Sequence, residues 1–311
     1  MNIKGKIMLV ILSIAVVIVA YTIYDNNRVV VREQVVYIKN LPQEFDDFRI
    51  LQISDLHGRY FGKDQSQLIG QVNSIKYDMI AFTGDMAASA NDFTPFIELL
   101  KGINNKEYMF YVNGNDDTAY SSLAGNVYAS GKRLEQNGCI LLTEPHPINR
   151  GDKTLWISNY FLMSDINKYK NEREIFSGNQ DEYASYKAYF NELEKVFTEI
   201  KDNGDIKIML THIPFAASDF ESIDKSSILD YSLIIAGHYH GGQIRIPFYG
   251  ALYIPGSTSE GGVWFPKQED VCGLSDDIGI QQYISAGLGA SIIPFRVFDT
   301  PEINLIILRK K

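Results

Sequence analysis

Four of the five histidines in this chain stand directly after short apolar runs, and aspartates or an asparagine stand at matching places. The runs deliver Asp55-Leu56-His57, Gly84-Asp85, Gly114-Asn115-Asp116, His212 and Gly237-His238-Tyr239-His240. Imidazole nitrogens together with carboxylate and amide oxygens are the donor set of a divalent transition-metal site. Four imidazoles rule out a pure calcium or magnesium cage. Taken singly, an aspartate after an apolar run is usually a turn or helix-cap residue, and a histidine a hydrogen-bonded structural one. Five such placements at equivalent points require one cause rather than five. The fifth histidine, His146 in Pro145-His146-Pro147, has no such placement and reads as a loop residue.

The runs themselves read as strands. Arg49–Ser54, Met79–Thr83, Tyr108–Asn113, Ile206–Thr211 and Ser232–Ala236 are short and apolar, and the five motifs leave from their carboxyl ends. In α/β sheets those ends form the rim where ligands bind. Residues two apart on an extended segment point the same way. Asp55 with His57, and His238 with His240, are therefore each expected to aim at one point. Gly84, Gly114 and Gly237 permit sharp exits and close approach of backbone to ligand. Further strands are expected at Thr154–Ser158, Ala251–Ile254, Gln281–Ser285 and Ile303–Leu308, after an extended lead-in over Val29–Ile38. Helices are expected at Gln65–Ile75, Phe93–Lys101 and Tyr183–Ile200. In the last, Tyr186, Tyr189, Leu193 and Phe197 recur at helical spacing, while the charged stretch from Asp165 to Glu182 reads as a solvated insertion. Without repeats or linkers to split it, the alternation predicts one α/β domain over 45–311.

The N-terminus is of another kind. After the tail 1–6, the 18 residues from Ile7 to Tyr24 carry no charge. At about 1.5 Å per residue they span roughly 27 Å, near the ~30 Å of a bilayer core. The run lacks the polar face of a buried soluble helix. It is long for a signal-peptide core, and Ile18-Val19-Ala20 is a weak cleavage site. The expectation is an uncleaved single-pass anchor over 7–24 and a linker with lead-in strand over 25–44. A secreted enzyme that loses the run is the alternative. Basic residues flank the run almost evenly, and the body of the chain is expected outside the cytoplasm, as in a signal anchor whose charged tail stays in. The net charge of −9 argues against a nucleic-acid partner. Cys139 and Cys272 are too few for a disulfide framework or a four-thiolate zinc site.

In this order, Asp55-x-His57, Gly84-Asp85, Gly114-Asn115, His212 and Gly237-His238-x-His240 resemble the calcineurin-like metallophosphoesterases, over roughly residues 45 to 311. Gly241-Gly242-Gln243, Ser285–Gly289, Pro294-Phe295-Arg296 and Pro301-Glu302-Ile303 are similar to that family's bacterial membrane-associated or exported branch. The resemblance implies two packed mixed β-sheets flanked by helices. It also implies two divalent metals (manganese, iron or zinc). Asp55, His57 and His240 would hold one, and Asn115, His212 and His238 the other, with Asp85 bridging. Two such cations lower the pKa of a shared water, and the resulting hydroxide attacks phosphorus in line with the leaving oxygen. Locally the dications outweigh Asp55 and Asp85, so the acidic chain can still take an anionic phosphoester.

One position departs from the family pattern. The family usually reads Gly-Asn-His followed by an acid, with the histidine as proton donor to the leaving group. Here Asp116 and Asp117 follow Asn115. A carboxyl beside two cations is held ionised and has no proton to give. Asp116 then implies a good leaving group, or orients a water or another donor. Failing both, it marks a metal-binding surface protein with weakened catalysis. The first of these ranks ahead. The anchor points to a membrane- or envelope-associated phosphodiester, phosphomonoester or pyrophosphate, in its simplest form lipid-linked. Trp264 and Phe265 in the loop Gly261–Pro266 offer an acyl chain an apolar contact, or else pack into the domain.

Overall fold

The computed structural model describes residues 2–89, 91–120, 127–160, 180–200, 204–216, 228, 230–256, 261–291 and 293–311. Helix α1 (Ile3–Asn26) opens the chain. Strands β1 (Val30–Ile38), β2 (Arg49–Ile53), β3 (Met79–Thr83), β4 (Met109–Val112) and β5 (Ile140–Leu141) follow. Helices α2 (Ser66–Ser74), α3 (Thr94–Gly102) and α4 (Ala129–Glu135) lie between them. Next come β6 (His146–Arg150), β7 (Lys153–Asn159), α5 (Gln180–Ile200), β8 (Ile206–Leu210) and β9 (Leu233–Ala236). The hairpin strands β10 (Arg245–Ile246), β11 (Gly250–Ala251), β12 (Tyr253–Ile254) and β13 (Val263–Trp264) precede β14 (Gly273–Ser275), β15 (Gln282–Ile284) and β16 (Glu302–Lys310).

Twelve of these strands form two six-stranded mixed sheets, ordered β1-β16-β2-β3-β4-β5 and β14-β15-β9-β8-β7-β6, and the other four pair as β10-β11 and β12-β13. In the first, β2 to β5 run parallel and β16 is antiparallel to β2. In the second, β15, β9, β8 and β7 run parallel between antiparallel edges β14 and β6. Strand alternation divides the core. Ile50, Met79, Ala81 and Phe110 face Ile157, Ile208, Leu210 and Ile235 between the sheets. Leu51, Ile53, Ile80 and Phe82 point the other way, onto Leu68, Phe96 and Leu100 of the helices. Burial on both faces is why the parallel strands read as unbroken apolar runs.

The expected lead-in strand is present as β1 and joins the first sheet at its edge, pairing in parallel with β16 from Val30↔Glu302 to Ile38↔Lys310. Two expectations change. His146 is not a loop residue. It begins β6 opposite Ile157 and lays its ring on Phe110, 5.1 Å between centroids. Its flanking prolines obscured the strand, yet an edge strand tolerates proline because one side needs no ladder donor. Ala251–Ile254 divides between β11 and β12, each pairing in a different hairpin. In α5 the described face is Phe190, Leu193 and Ile200, with Tyr189 and Phe197 half-buried; positions 161–179, most of the expected insertion, lie outside the described residues.

Helix α1 buries only Asp25 and Asn26. Its apolar stretch, of mean hydropathy 2.7, is long and apolar enough to cross a membrane.

Candidate metal centre

All eight residues singled out by sequence come to one place, where the carboxyl ends of β2, β3 and β4 meet those of β8 and β9. The site therefore straddles both sheets. Asp55, Asp85, His212 and His240 are buried, His57 and His238 half-buried, and Asn115 and Asp116 stand exposed at the mouth. The backbone leaves the strands abruptly. Asp55, His57, Asp85, His238 and His240 all have positive φ, between 46° and 73°. Non-glycine residues rarely occupy that region, and such strain collects at functional sites. It also corrects the alternation argument for the last pair. His238 and His240 are not extended, and they diverge, His238 to Asp85 and His212, His240 to Asp55 and His57. Glycine makes room for this. A Cβ on Gly114 would fall 2.0 Å from Asp85 Oδ1, and one on Gly237 2.5 Å from Asp55 Oδ2.

Hydrogen bonds set the histidine tautomers in one half of the site. His212 Nδ1 donates to the Thr83 carbonyl at 2.8 Å, and His238 Nε2 to the Gly256 carbonyl at 3.2 Å. Carbonyls only accept, so His212 Nε2 and His238 Nδ1 turn their lone pairs toward each other, 3.2 Å apart. Asn115 Oδ1 lies 3.1 Å and Asp85 Oδ2 3.2 Å from His212 Nε2. Four acceptor atoms thus converge, and such a set needs a cation at its centre. In the other half, His57 Nε2 lies 3.3 Å from His240 Nε2 and 3.5 Å from Asp85 Oδ2, with Asp55 Oδ1 3.6 Å from His240 Nε2. His240 Nδ1 is buried without a hydrogen-bond partner among the described residues. The donor set fits divalent metal ions in both halves, and the carbonyl-held imidazoles are the usual outer support of such ligands.

The electrostatics agree. Burial alone would lower the His212 pKa, but the Asp85 carboxylate beside it raises it to about 9. Burial works to raise Asp85, and His212 with His57 outweighs it, holding that carboxyl below the usual range. His238 falls to about 4, first through burial and then through repulsion by His212. One proton shared by His212 and Asp85 is the least that reconciles the acceptors; a divalent cation does so more fully.

Three further residues hold the site in place; Asp117 and Arg296 lie in stretches that carry the family resemblance, whereas Gln52 carries no signal of its own in the sequence. Asp117 accepts from the backbone N–H groups of Met86, Ala87 and Gly114 and from the Tyr111 hydroxyl, stapling the Asp85 loop to the Asn115 loop. Gln52 Nε2 donates to Thr83 Oγ1 and to the Ala236 carbonyl, tying the sheets together under the site. Arg296 is fully buried. Its guanidinium donates to the carbonyls of Gly289, His240 and Ala286 and pairs with Asp299. Replacing Arg296 by Met removes the donor from the Asp299 carboxylate and from the Gly289, Ala286 and Asp299 carbonyls, while the His240 carbonyl keeps the Gln243 N–H, at a cost of about 3–5 kcal/mol. Thermal melts of the full chain in detergent should show the lowered midpoint. Arg296→Lys should recover little, because an ammonium cannot reach all four partners.

A family model described as calcineurin-like phosphoesterase matches residues 48–242. The metallophosphoesterase YkuE of Bacillus subtilis is 27% identical over 281 residues, 86% of this chain and 82% of that protein. A second Bacillus subtilis metallophosphoesterase, YkoQ, is 25% identical over 266 residues, 82% of this chain and 81% of that protein. A zebrafish transmembrane protein with metallophosphoesterase domain is 22% identical over 88% of this chain, which spans 56% of that protein.

Proposed function

The chain belongs to the calcineurin-like phosphoesterase family and is a metal-dependent phosphoric ester hydrolase, and from that premise we propose that it uses two divalent transition-metal ions on a membrane- or envelope-associated phosphoester. Asp55, His57 and His240 would hold one ion, and Asn115, His212 and His238 the other, with Asp85 within reach of both groups. The convergence of four acceptor atoms beside a second triad that shares Asp85 Oδ2 carries this reading. When bound, such a pair of ions supplies Lewis acidity toward phosphate oxygens and an acidified water.

The protein's own groups do the positioning. The Asp116 N–H donates to Asp85 Oδ1 at 2.9 Å, fixing the carboxylate so that Oδ2 faces both triads. The Asp116 carboxylate accepts from Asn115 Nδ2 at 3.0 Å, which turns Asn115 Oδ1 toward His212. Asp116 is thus a positioning residue, reaching to 3.8 Å from His57 Nδ1. Among the described residues no further imidazole stands at the mouth, since His146 packs on Phe110 in β6. This favours a substrate whose leaving group departs without a proton, such as a pyrophosphate or an aryl ester. Helix α1 anchors the enzyme, with the catalytic body outside the cytoplasm; protease shaving of intact cells that spared the body would reverse that orientation.

Metal analysis tests the core of the proposal. After chelator treatment, titration of the full chain with Mn²⁺, Fe²⁺ or Zn²⁺ should restore turnover of bis-p-nitrophenyl phosphate as two equivalents bind. Saturation at one equivalent would remove the dinuclear reading.

A further inference from the structure

Exposed apolar side chains start at the foot of α1 and recur along the neighbouring segment 293–298 and the hairpin bridged to it at Ile244↔Val297. Tyr21 of the helix stacks on Phe298 at 5.5 Å. One turn later Asn26 forms a reciprocal pair with the Arg296 backbone, at 2.7 and 2.8 Å, and its carbonyl accepts from Arg59 at 2.6 Å. The helix is therefore bolted to the Arg296 node that also holds the His240 carbonyl. From Phe298 the series runs through Phe295 and Ile293, whose carbonyls accept from Gln243 Nε2. It continues into the β10–β11 hairpin, where Ile246 and Tyr249 are exposed and Phe248 stands wholly in the open. Tyr249 meets Phe265 at 6.2 Å, next to exposed Trp264.

Three of these tips are strained as well as exposed. Phe248, Phe265 and Phe298 have φ of 68°, 55° and 52°. Left-handed backbone costs about 1–3 kcal/mol at a bulky residue, and Phe248 recovers none of it and Phe265 little by burial in the protein. Exposed aromatic side chains gathered on neighbouring loops mark a contact surface. Its continuity with the helix that enters the membrane identifies the occupant. A cavity of about 480 Å³ runs from Val263 and Gly261 at this surface to Gly256 and Tyr239 beside His238.

We propose that Phe248, Trp264, Phe265, Phe295 and Phe298 enter the bilayer interface beside α1, so that the metal centre opens onto lipid headgroups. This rests on the reading of α1 as an anchor and narrows the substrate to a phosphoester drawn from the membrane itself. Aromatic rings at headgroup depth are the usual interfacial anchors.

The chain has two tryptophans, so Trp156→Phe leaves Trp264 as the sole reporter. The full-length variant is reconstituted into phosphatidylcholine–phosphatidylglycerol vesicles with ordinary or brominated acyl chains. Brominated chains should quench Trp264 about twofold or more, and Phe248→Ser with Phe265→Ser should abolish most of that quenching. A chain that floats with vesicles but is not quenched overturns the inference while leaving the anchor standing. Shielding of Trp264 from iodide without quenching by bromine would mean that a protein or a second copy covers the face, and also overturns it. A chain that fails to float removes the anchor and the inference together.

Discussion

Asp85→Ala is expected to abolish metal loading and turnover together. Asp85 Oδ2 lies 3.5 Å from His57 Nε2 and 3.2 Å from His212 Nε2, so one atom serves both halves of the centre. Its removal takes away the charge that raises His212 and leaves the two triads with no common ligand. Outer partners of metal ligands typically contribute 10–100-fold; a shared inner ligand should exceed that, with kcat/KM falling on the order of 10³-fold, or about 4 kcal/mol. The fold should persist, because Asp117 still staples the following residues, Met86 and Ala87, through their backbone N–H groups. Metal content, circular dichroism and turnover measured on one preparation check the prediction. A folded variant that retains two metals and ordinary turnover would sink the bridging role.

Asp116→His should change which esters are hydrolysed rather than raise the rate uniformly. The position is at the exposed mouth, and an imidazole there would add a proton donor with a pKa near the working range. General-acid assistance contributes roughly 10²–10⁴-fold where the leaving group needs a proton and almost nothing where it does not. The substitution also strips Asn115 Nδ2 of its acceptor, which should weaken metal binding for every substrate alike. The informative quantity is therefore the ratio of rates for an alkyl phosphoester and for p-nitrophenyl phosphate, in which the common loss cancels. That ratio should rise about 10²-fold. Asp116→Asn keeps an oxygen for Asn115 but adds no acid of useful strength, so its ratio should stay at the wild-type value. An unchanged ratio in the histidine variant would refute the leaving-group reading.

The central strands were legible because parallel strands buried on both faces must be apolar throughout. Arg49–Ser54, Met79–Thr83 and Ile206–Thr211 were each located to within a residue. β1 and β6 were harder. Edge strands need burial on one side only, so Val30–Ile38 alternates weakly and His146 sits between prolines without penalty. α4, a short helix with only Ser130, Gly131 and Leu134 buried, carries too little apolar periodicity to stand out. Strand alternation governs neither pair, since Asp55, His57, His238 and His240 are all left-handed; Asp55 and His57 still meet at His240, while His238 and His240 part to separate clusters.

What the sequence determined by itself was the donor set. Oxygen and imidazole ligands at five strand ends admit few chemistries, because residue type alone decides which atoms can donate electrons to a metal. It also determined the apolar length of α1, a property of composition. Only the tertiary structure decided that β2, β3 and β4 from one sheet meet β8 and β9 from the other. Only there do Thr83 and Gly256 carbonyls select the histidine tautomers, and Arg296 joins the foot of α1 to His240. Those contacts join residues up to 270 positions apart. Tautomer and the orientation of the helix depend on distances through space, which local residue patterns do not encode.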